Sequence, residues 1–337
     1  MKTFEHGGQI EKFAQEIGCE VCEVIDLSSN INFIKPKISI DFNTLDISSY
    51  PVYDKLYEKI ASNYGVQSDE IELFNGGSSA IFTLFRHLNL KNCTIYSPAY
   101  LEYKKAALNF GYKLNLINRF ENIDVEVKKN SLVIFVNPST PDGKYYELEE
   151  LMKKWIENSC TILIDESFLD FCDKPSAIEY LKTYDKLYIL KSMTKFYSSA
   201  GIRVGTIVST KENIEKLKEF EPMWKLSQFD SIYLQNALED RVFKGVSQKV
   251  NEKNRIELES ILKGSSFVEE ISTSSANYIL VKLKDIKAKE FQERLKPYKI
   301  MVRDCSNFDY LDDRFVRIAV KSSNANDSLK RALKHIC

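Results

Sequence analysis

A repeated motif constrains the fold of this chain more than any other feature: a short apolar run, a polar or glycine-rich turn, then a helical stretch. Ile71–Phe74, Cys93–Tyr96, Leu132–Val136 and Thr161–Ile164 read as strands, with Ile81–Leu88, Leu101–Phe110 and Leu148–Ile156 as helices among them. Such alternation predicts a mostly parallel sheet with helices on both faces. In these sheets ligands bind beyond the carboxyl ends of the strands. Tyr100, Asn137 and Asp165 each stand just past a strand's end, so residues far apart in sequence converge on one edge. Taken singly, Tyr100 could be a core aromatic and Asp165-Glu166 a helix cap; their shared placement favours a ligand site.

The densest chemistry lies in Leu187–Thr210. Two apolar runs, Leu187–Leu190 and Val204–Val208, flank small and polar residues, which predicts neighbouring strands joined by an irregular crossing loop. The loop holds Lys195 among Ser192, Thr194, Ser198, Ser199 and Arg203. A lysine at the end of a buried strand sees little water, which favours the neutral amine that forms a Schiff base with a carbonyl. Hydroxyls and an arginine beside it suit a phosphate. The alternative is an ordinary loop lysine capping a strand. A second anion site is predicted at Asn75-Gly76-Gly77-Ser78-Ser79-Ala80, where strand, glycine-rich turn and helix N-terminus present free N–H groups. This turn is neither a P-loop nor a GxGxxG fingerprint.

The chain divides into an N-terminal arm over residues 1–35, a large domain over 36–225 and a smaller C-terminal α/β domain over 226–337. In the arm, the glycines of His6-Gly7-Gly8 suit a backbone passing close to a ligand. Asn30 and Asn32 point the same way if Ser28–Asn32 is extended. Turn chemistry is the alternative for both pieces. In the C-terminal part, Asn277–Leu283, Ile300–Arg303 and Phe315–Val320 read as strands and Asn326–His335 as a closing helix. Arg303 and Arg317 stand among apolar residues there. Each expects a carboxylate or phosphate, supplied by a ligand or by a structural salt bridge.

Composition narrows the partners. A formal charge of −1 gives no reason to expect nucleic acid or an anionic membrane. No apolar run approaches the roughly 18 residues that span a bilayer, and the first residues lack the apolar core of a signal peptide. Seven scattered cysteines fit reduced thiols, so the expected location is the cytoplasm. Cys19 and Cys22 form a lone CxxC without a second pair, and no metal site is expected.

The order Ser192-x-x-Lys195, then Arg203 and Gly205, resembles the cofactor-lysine signature of pyridoxal-phosphate enzymes of the aspartate aminotransferase fold type. The resemblance covers nearly the whole chain. It implies a large domain with a mostly parallel sheet between helices, plus a smaller C-terminal domain. It implies that Lys195 carries pyridoxal 5′-phosphate and that Ser192, Arg203, Gly77, Ser78 and Ser79 hold the phosphate. Asp165 would keep a proton on the pyridine nitrogen, Asn137 would donate to the 3′ oxygen, and Tyr100 would stack on the ring; Lys195, Asp165 and Tyr100 form the catalytic set. Arg317 matches the arginine that binds the substrate α-carboxylate, and Arg303 a position that contacts substrate phosphate. Tyr50 resembles a tyrosine that reaches the neighbouring subunit's cofactor phosphate, which implies a homodimer.

Within the family, His6-Gly7-Gly8, Asp26–Asn32, Asp165–Phe171 and Arg303–Phe308 are similar to the threonine-phosphate decarboxylases, which make aminopropanol phosphate for the nucleotide loop of cobalamin. Histidinol-phosphate aminotransferases are the alternative branch. On the first reading His6, Gly8, Asn32, Arg303 and Arg317 bind a phosphorylated small amino acid. The chain departs from the common pattern at Phe168, where many aminotransferases place a tyrosine on the 3′ oxygen. It departs again at Asn137-Pro138-Ser139-Thr140-Pro141-Asp142-Gly143, where Asp142 replaces a threonine.

Overall fold

The computed structural model describes residues 7–336. Among them the strands, in chain order, are β1 (Ile25–Leu27), β2 (Ile71–Asn75), β3 (Asn92–Ser97), β4 (Lys113–Asn118), β5 (Leu132–Val136), β6 (Thr161–Asp165), β7 (Leu187–Ser192), β8 (Val204–Val208), β9 (Val268–Ile271), β10 (Tyr278–Leu283), β11 (Ile300–Asp304) and β12 (Phe315–Ala319). A seven-stranded sheet has the order β2-β8-β7-β6-β5-β3-β4. Strands β3 to β7 run parallel, whereas β8 is antiparallel to both of its neighbours, β7 and β2. One reversed strand has a specific consequence. The chain enters β8 at the same edge where β2, β3, β5, β6 and β7 end, so the residues before β8 join those that follow the other strands.

Side-chain alternation explains why β5 and β6 can be apolar throughout. Val133, Phe135, Ile162 and Ile164 enter the core on one face, while Leu132, Ile134, Val136 and Leu163 enter the core on the other. Helices cover both faces, so a period of two divides a continuous apolar run between two cores. β4, with the polar alternation Lys113-Leu114-Asn115-Leu116-Ile117-Asn118, is the edge strand that hydrophobic runs alone did not predict.

The smaller sheet has the order β1-β11-β12-β10-β9. Its first strand comes from the N-terminal arm: Ile25, Asp26 and Leu27 pair in parallel with Ile300, Met301 and Val302. The arm is therefore part of the C-terminal sheet and not a separate appendage over its whole length. Three residues pairing across most of the chain leave no local signal that sequence periodicity could detect. The helix Phe243–Lys263 buries Leu258 and Leu262 in the same core as Ile279, Val281 and Ile318. No helix among the described residues is long and apolar enough to cross a membrane.

At the strand-end edge of the seven-stranded sheet, β8 crosses close to the turn that follows β2. A Cβ placed on Gly205 would lie 2.6 Å from the Gly77 nitrogen and 2.7 Å from the Gly76 carbonyl carbon. Only a residue without a side chain lets β8 pass so close to the first turn of the helix Gly76–Leu88. Gly205→Ala is expected to lower unfolding stability by about 1–3 kcal/mol, the usual cost of overpacking a rigid contact. Chemical denaturation of the cofactor-free protein measures it; an unchanged midpoint would show that the turn yields.

Candidate active site

The strand-end edge opens into a cavity of about 340 Å³ lined by residues of both sheets. Lys195 stands in the short helical turn Met193–Phe196, directly after β7. Loss of water around its ammonium, followed by the positive charges of Arg317 and Arg203, lowers its pKa to about 8; Asp165 opposes the shift. Roughly a tenth of it is therefore the neutral, nucleophilic amine at pH 7, far more than for an ordinary lysine.

Arg203 enters from the opposite direction, just before β8. Its backbone N–H donates to Asp230 Oδ1 at 3.0 Å and its Nη1 to the Ala200 carbonyl at 2.9 Å. The guanidinium lies over Gly76, whose φ is +78°; a Cβ there would come within 2.5 Å of Arg203 Nη2. Glycine thus creates the recess that admits the arginine. The helix behind it, Gly76–Leu88, has no side-chain cap at Asn75, so its first N–H groups remain available. Ser78 lines the cavity and shares a 3.1 Å hydrogen bond with Tyr100 Oη. Gly77 also lines it, as do Ser192 and Thr194, whose hydroxyls are 2.9 Å apart. Ser79 lies outside this lining. The corner offers an arginine, three hydroxyls and a helix N-terminus to a phosphate. These are the donors a pyridoxal phosphate tail requires.

Asp165 ends β6 at 5% exposure. Burial raises its pKa, and hydrogen bonds from Ser167 and Tyr103, together with Lys195, act against that rise. The Ser167 N–H donates to Oδ1 at 2.9 Å, the Ser167 hydroxyl donates to the same oxygen, and Tyr103 Oη donates to Oδ2 at 2.7 Å. Neither Tyr103 nor Ser167 was singled out in the sequence. Tyr103 stands three positions after Tyr100 in a helix and looks like a core aromatic, whereas Ser167, two after Asp165, carries the ordinary signature of an Asx turn.

Two expected ligand contacts are placed differently. Asn32 donates both amide hydrogens to protein, to the Phe196 carbonyl at 2.9 Å and to Ser247 Oγ at 3.1 Å, while its Oδ1 accepts from Ile34 N–H. No donor remains on its side chain for a substrate, and Ser28, Ser29, Asn30 and Ile31 line the cavity in its place. Asn137 is buried behind the lining with its amide closed on the Tyr146 backbone, Nδ2 to the carbonyl and Oδ1 from the N–H, each at 2.9 Å. A contact with the cofactor ring rests on the second Nδ2 hydrogen alone.

Arg303 and Arg317 both line the cavity and sit directly opposite each other on the antiparallel strands β11 and β12. Arg317 donates to Thr140 Oγ1 at 3.2 Å and to the Ser28 carbonyl at 3.3 Å, and its guanidinium lies 5.0 Å from the centre of the Tyr278 ring. Arg303 Nη2 donates to Asn307 Oδ1 at 2.9 Å. Gly8 lines the cavity at φ +90° and donates its N–H to Ser28 Oγ at 3.0 Å. A Cβ on Gly7 would lie 2.9 Å from the Ser28 carbonyl oxygen, so the arm packs closely here. His6 lies outside the described residues. Phe168 lines the cavity edge-on to Tyr278, with ring centres 4.9 Å apart. Tyr50 is absent from the lining; it is 70% exposed and stacks on Trp224 at 4.0 Å.

Asp142, the departure in the Asn-Pro loop, is structural. It forms a buried ion pair with Arg119, which also donates to the carbonyls of Tyr96, Pro98 and Thr140. This knot fixes the loop bearing Thr140, the partner of Arg317. Among the described residues no group of histidine, cysteine or acidic side chains could hold a metal.

The family model for class I and II aminotransferases matches residues 30–336. A protein of Caldanaerobacter subterraneus subsp. tengcongensis, provisionally named threonine-phosphate decarboxylase, is 33% identical over 356 residues, covering 99% of this chain and 94% of the relative. The histidinol-phosphate aminotransferase of Methanocaldococcus jannaschii is 26% identical, covering 100% of this chain and 95% of its own length. The crystal structure of histidinol-phosphate aminotransferase from Clostridium acetobutylicum superimposes with a TM-score of 0.81 at 29% identity, over 92% of this chain and 98% of that one. This chain belongs to the class I and II aminotransferase family and is a pyridoxal-phosphate enzyme.

Because Lys195 is the cavity amine with the lowered pKa, capture of pyridoxal phosphate by cofactor-free protein should accelerate as pH rises through about 8 and level off above it. An ordinary lysine would keep accelerating toward pH 10. Stopped-flow absorbance follows the capture, and borohydride reduction with peptide mapping should place the adduct on Lys195. An adduct elsewhere would contradict the assignment.

Proposed function

We propose that this enzyme decarboxylates L-threonine or L-serine O-3-phosphate to the corresponding amino-alcohol phosphate. The observation that carries the reading is the placement of Arg303 and Arg317 opposite each other in the cavity wall. Like charges across a strand pair repel and destabilise the sheet. A substrate carrying both a carboxylate and a phosphate relieves that repulsion twice.

The proposed roles follow from position. Arg317, braced by Thr140 and Ser28, binds the carboxylate; Arg303 takes the phosphate beneath the Gly7–Gly8 arm. Ser192, Gly77, Ser78 and Arg203 hold the cofactor phosphate, Tyr100 covers one face of the ring, and Asp165 keeps a proton on the ring nitrogen. Pyridoxal phosphate, when bound, supplies the electron sink that accepts the pair released from the carboxylate bond. Lys195, as the neighbouring amine, accepts the substrate's displaced proton and returns one to Cα. The arm excludes water while this happens. Phe168, which lacks a hydroxyl, adds no donor at the cavity wall.

The relatives include both decarboxylases and aminotransferases, and the second reading is transamination of histidinol phosphate or a similar phosphorylated amine. A transaminase needs an acceptor keto acid to regenerate its cofactor; a decarboxylase does not. Purified holoenzyme should therefore release carbon dioxide from O-phosphothreonine or O-phosphoserine alone. Dependence on 2-oxoglutarate, with glutamate formed, would replace the first reading by the second. Arg303→Ala should weaken the transition-state complex by about 2–3 kcal/mol, the cost of losing a charge-assisted phosphate contact, visible as a fall in kcat/KM.

The same reading makes the enzyme a cytoplasmic homodimer. Tyr50 and Trp224 stack at the surface, and Val52 and Met223 beside them in sequence are 71% and 75% exposed. A second copy covering this patch would bring Tyr50 toward the partner's cofactor phosphate. Sedimentation should give a dimer, and a folded, active monomer would refute it.

A further inference from the structure

We infer that Tyr103 is a positioning residue behind the cavity wall, holding the Asp165 carboxylate through its hydroxyl and the Tyr100 ring through its own ring.

Asp165 is buried at the end of β6, where a carboxylate without donors would be strongly disfavoured. Among the described residues its carboxylate accepts hydrogen bonds from Ser167 and Tyr103. They differ in origin. Ser167 serves Oδ1 and lies two residues further along the same turn, so it moves with Asp165. Tyr103 serves Oδ2 at 2.7 Å and comes from another unit of the fold, the helix Leu101–Asn109 that follows β3. A donor carried by a different element fixes the carboxylate relative to the rest of the site; a donor from the same turn cannot.

The Tyr103 side chain is fully buried, at 0% exposure, so no water substitutes for its partner. Burial and the adjacent Asp165 charge hold its phenol well above the ordinary range, and it stays protonated as a donor. The groups acting on Asp165 are thus Ser167, Tyr103 and, through its charge, Lys195. On its other side the Tyr103 ring meets Tyr100 edge to face, with centres 6.2 Å apart and planes at 87°. Tyr100 in turn shares a hydrogen bond with Ser78 at the phosphate corner. One side chain therefore touches the cavity's acid and the aromatic wall beside it. A purely apolar filler would need only the ring.

The inference rests on the reading of Asp165 as partner of the cofactor's ring nitrogen, and the test separates the two. Wild-type, Tyr103→Phe and Asp165→Asn holoenzymes are loaded with pyridoxal 5′-phosphate labelled with nitrogen-15, whose chemical shift reports protonation of the ring nitrogen. Tyr103→Phe keeps the ring packing and removes the donor. Its nitrogen signal should move toward neutral pyridine, in the direction of Asp165→Asn, and its cofactor should dissociate at least roughly tenfold faster, the lower end of what one hydrogen bond to a charged group contributes. A difluorotyrosine at 103, a stronger donor of nearly the same shape, should retain the pyridinium signal and lose cofactor no faster than wild type. If Tyr103→Phe fails to fold, the fluorinated protein decides: a signal shifted toward neutral pyridine there overturns the inference. A wild-type signal and retention in Tyr103→Phe, with Asp165→Asn altered, would also overturn it and leave Tyr103 as packing. An unaltered signal in Asp165→Asn would defeat the reading of Asp165 itself, and the inference with it.

Discussion

The contact of bare backbone at Gly205 with the Gly76–Gly77 turn is the constraint on which the site depends. It allows β8 to run antiparallel between β2 and β7 while closely packed against the start of a helix. Because β8 is reversed, Arg203 precedes it at the edge where the other strands end, and the recess over Gly76 receives its guanidinium. A parallel β8 would carry Arg203 to the far end of the sheet. Topology and two missing side chains, at Gly205 and Gly76, together bring the charge of an arginine to the free N–H groups of a helix N-terminus.

The ends of β6 and β7 are held in register by more than the ladder. Glu166, next to Asp165, forms a buried ion pair with Lys191, next to Ser192, and also accepts from Ser176 Oγ and Ala177 N–H. Strand alternation sends Glu166 and Lys191 to the face opposite Asp165. Removing one partner of such a pair leaves an uncompensated buried charge, so the two strand ends resist separate movement. The acid and the amine of the site are thereby mounted on one stiff support, in keeping with placing chemistry on rigid elements.

Features with short-range causes were legible in the sequence. The apolar runs and their polar ends located Asp165, Lys195 and Tyr100, because a strand's termination is encoded within a few residues. The turn before the helix Gly76–Leu88 was equally readable, since glycines and hydroxyls there have few other uses. Contacts made across the fold were not. Asn32 had the composition of a ligand residue, yet its two hydrogens go to Phe196 and Ser247, remote in sequence. Arg119 and Asp142 appeared as an unremarked charge and a minor loop change, and they form a buried knot. Tyr103 offered only helical spacing, which says that a ring is buried and nothing about the partner of its hydroxyl.

The charges around Lys195 tune its proton affinity. Arg317 is the charge that, after burial, most lowers the pKa of this amine, ahead of Arg203. Both arginines are positions where the proposed reading seats an anion: the substrate carboxylate on Arg317, the cofactor phosphate on Arg203. Each anion offsets the positive field that holds the amine neutral, so filling the site raises the proton affinity of Lys195. The amine is thus most nucleophilic when the site is empty and must capture a carbonyl, and most basic when substrate is present and a proton must be held near Cα. On that proposed reading, loss of the carboxylate as carbon dioxide would restore the uncompensated charge of Arg317 and drive the amine to give its proton up. The same two arginines that bind the reactants would set the direction of proton movement at each stage.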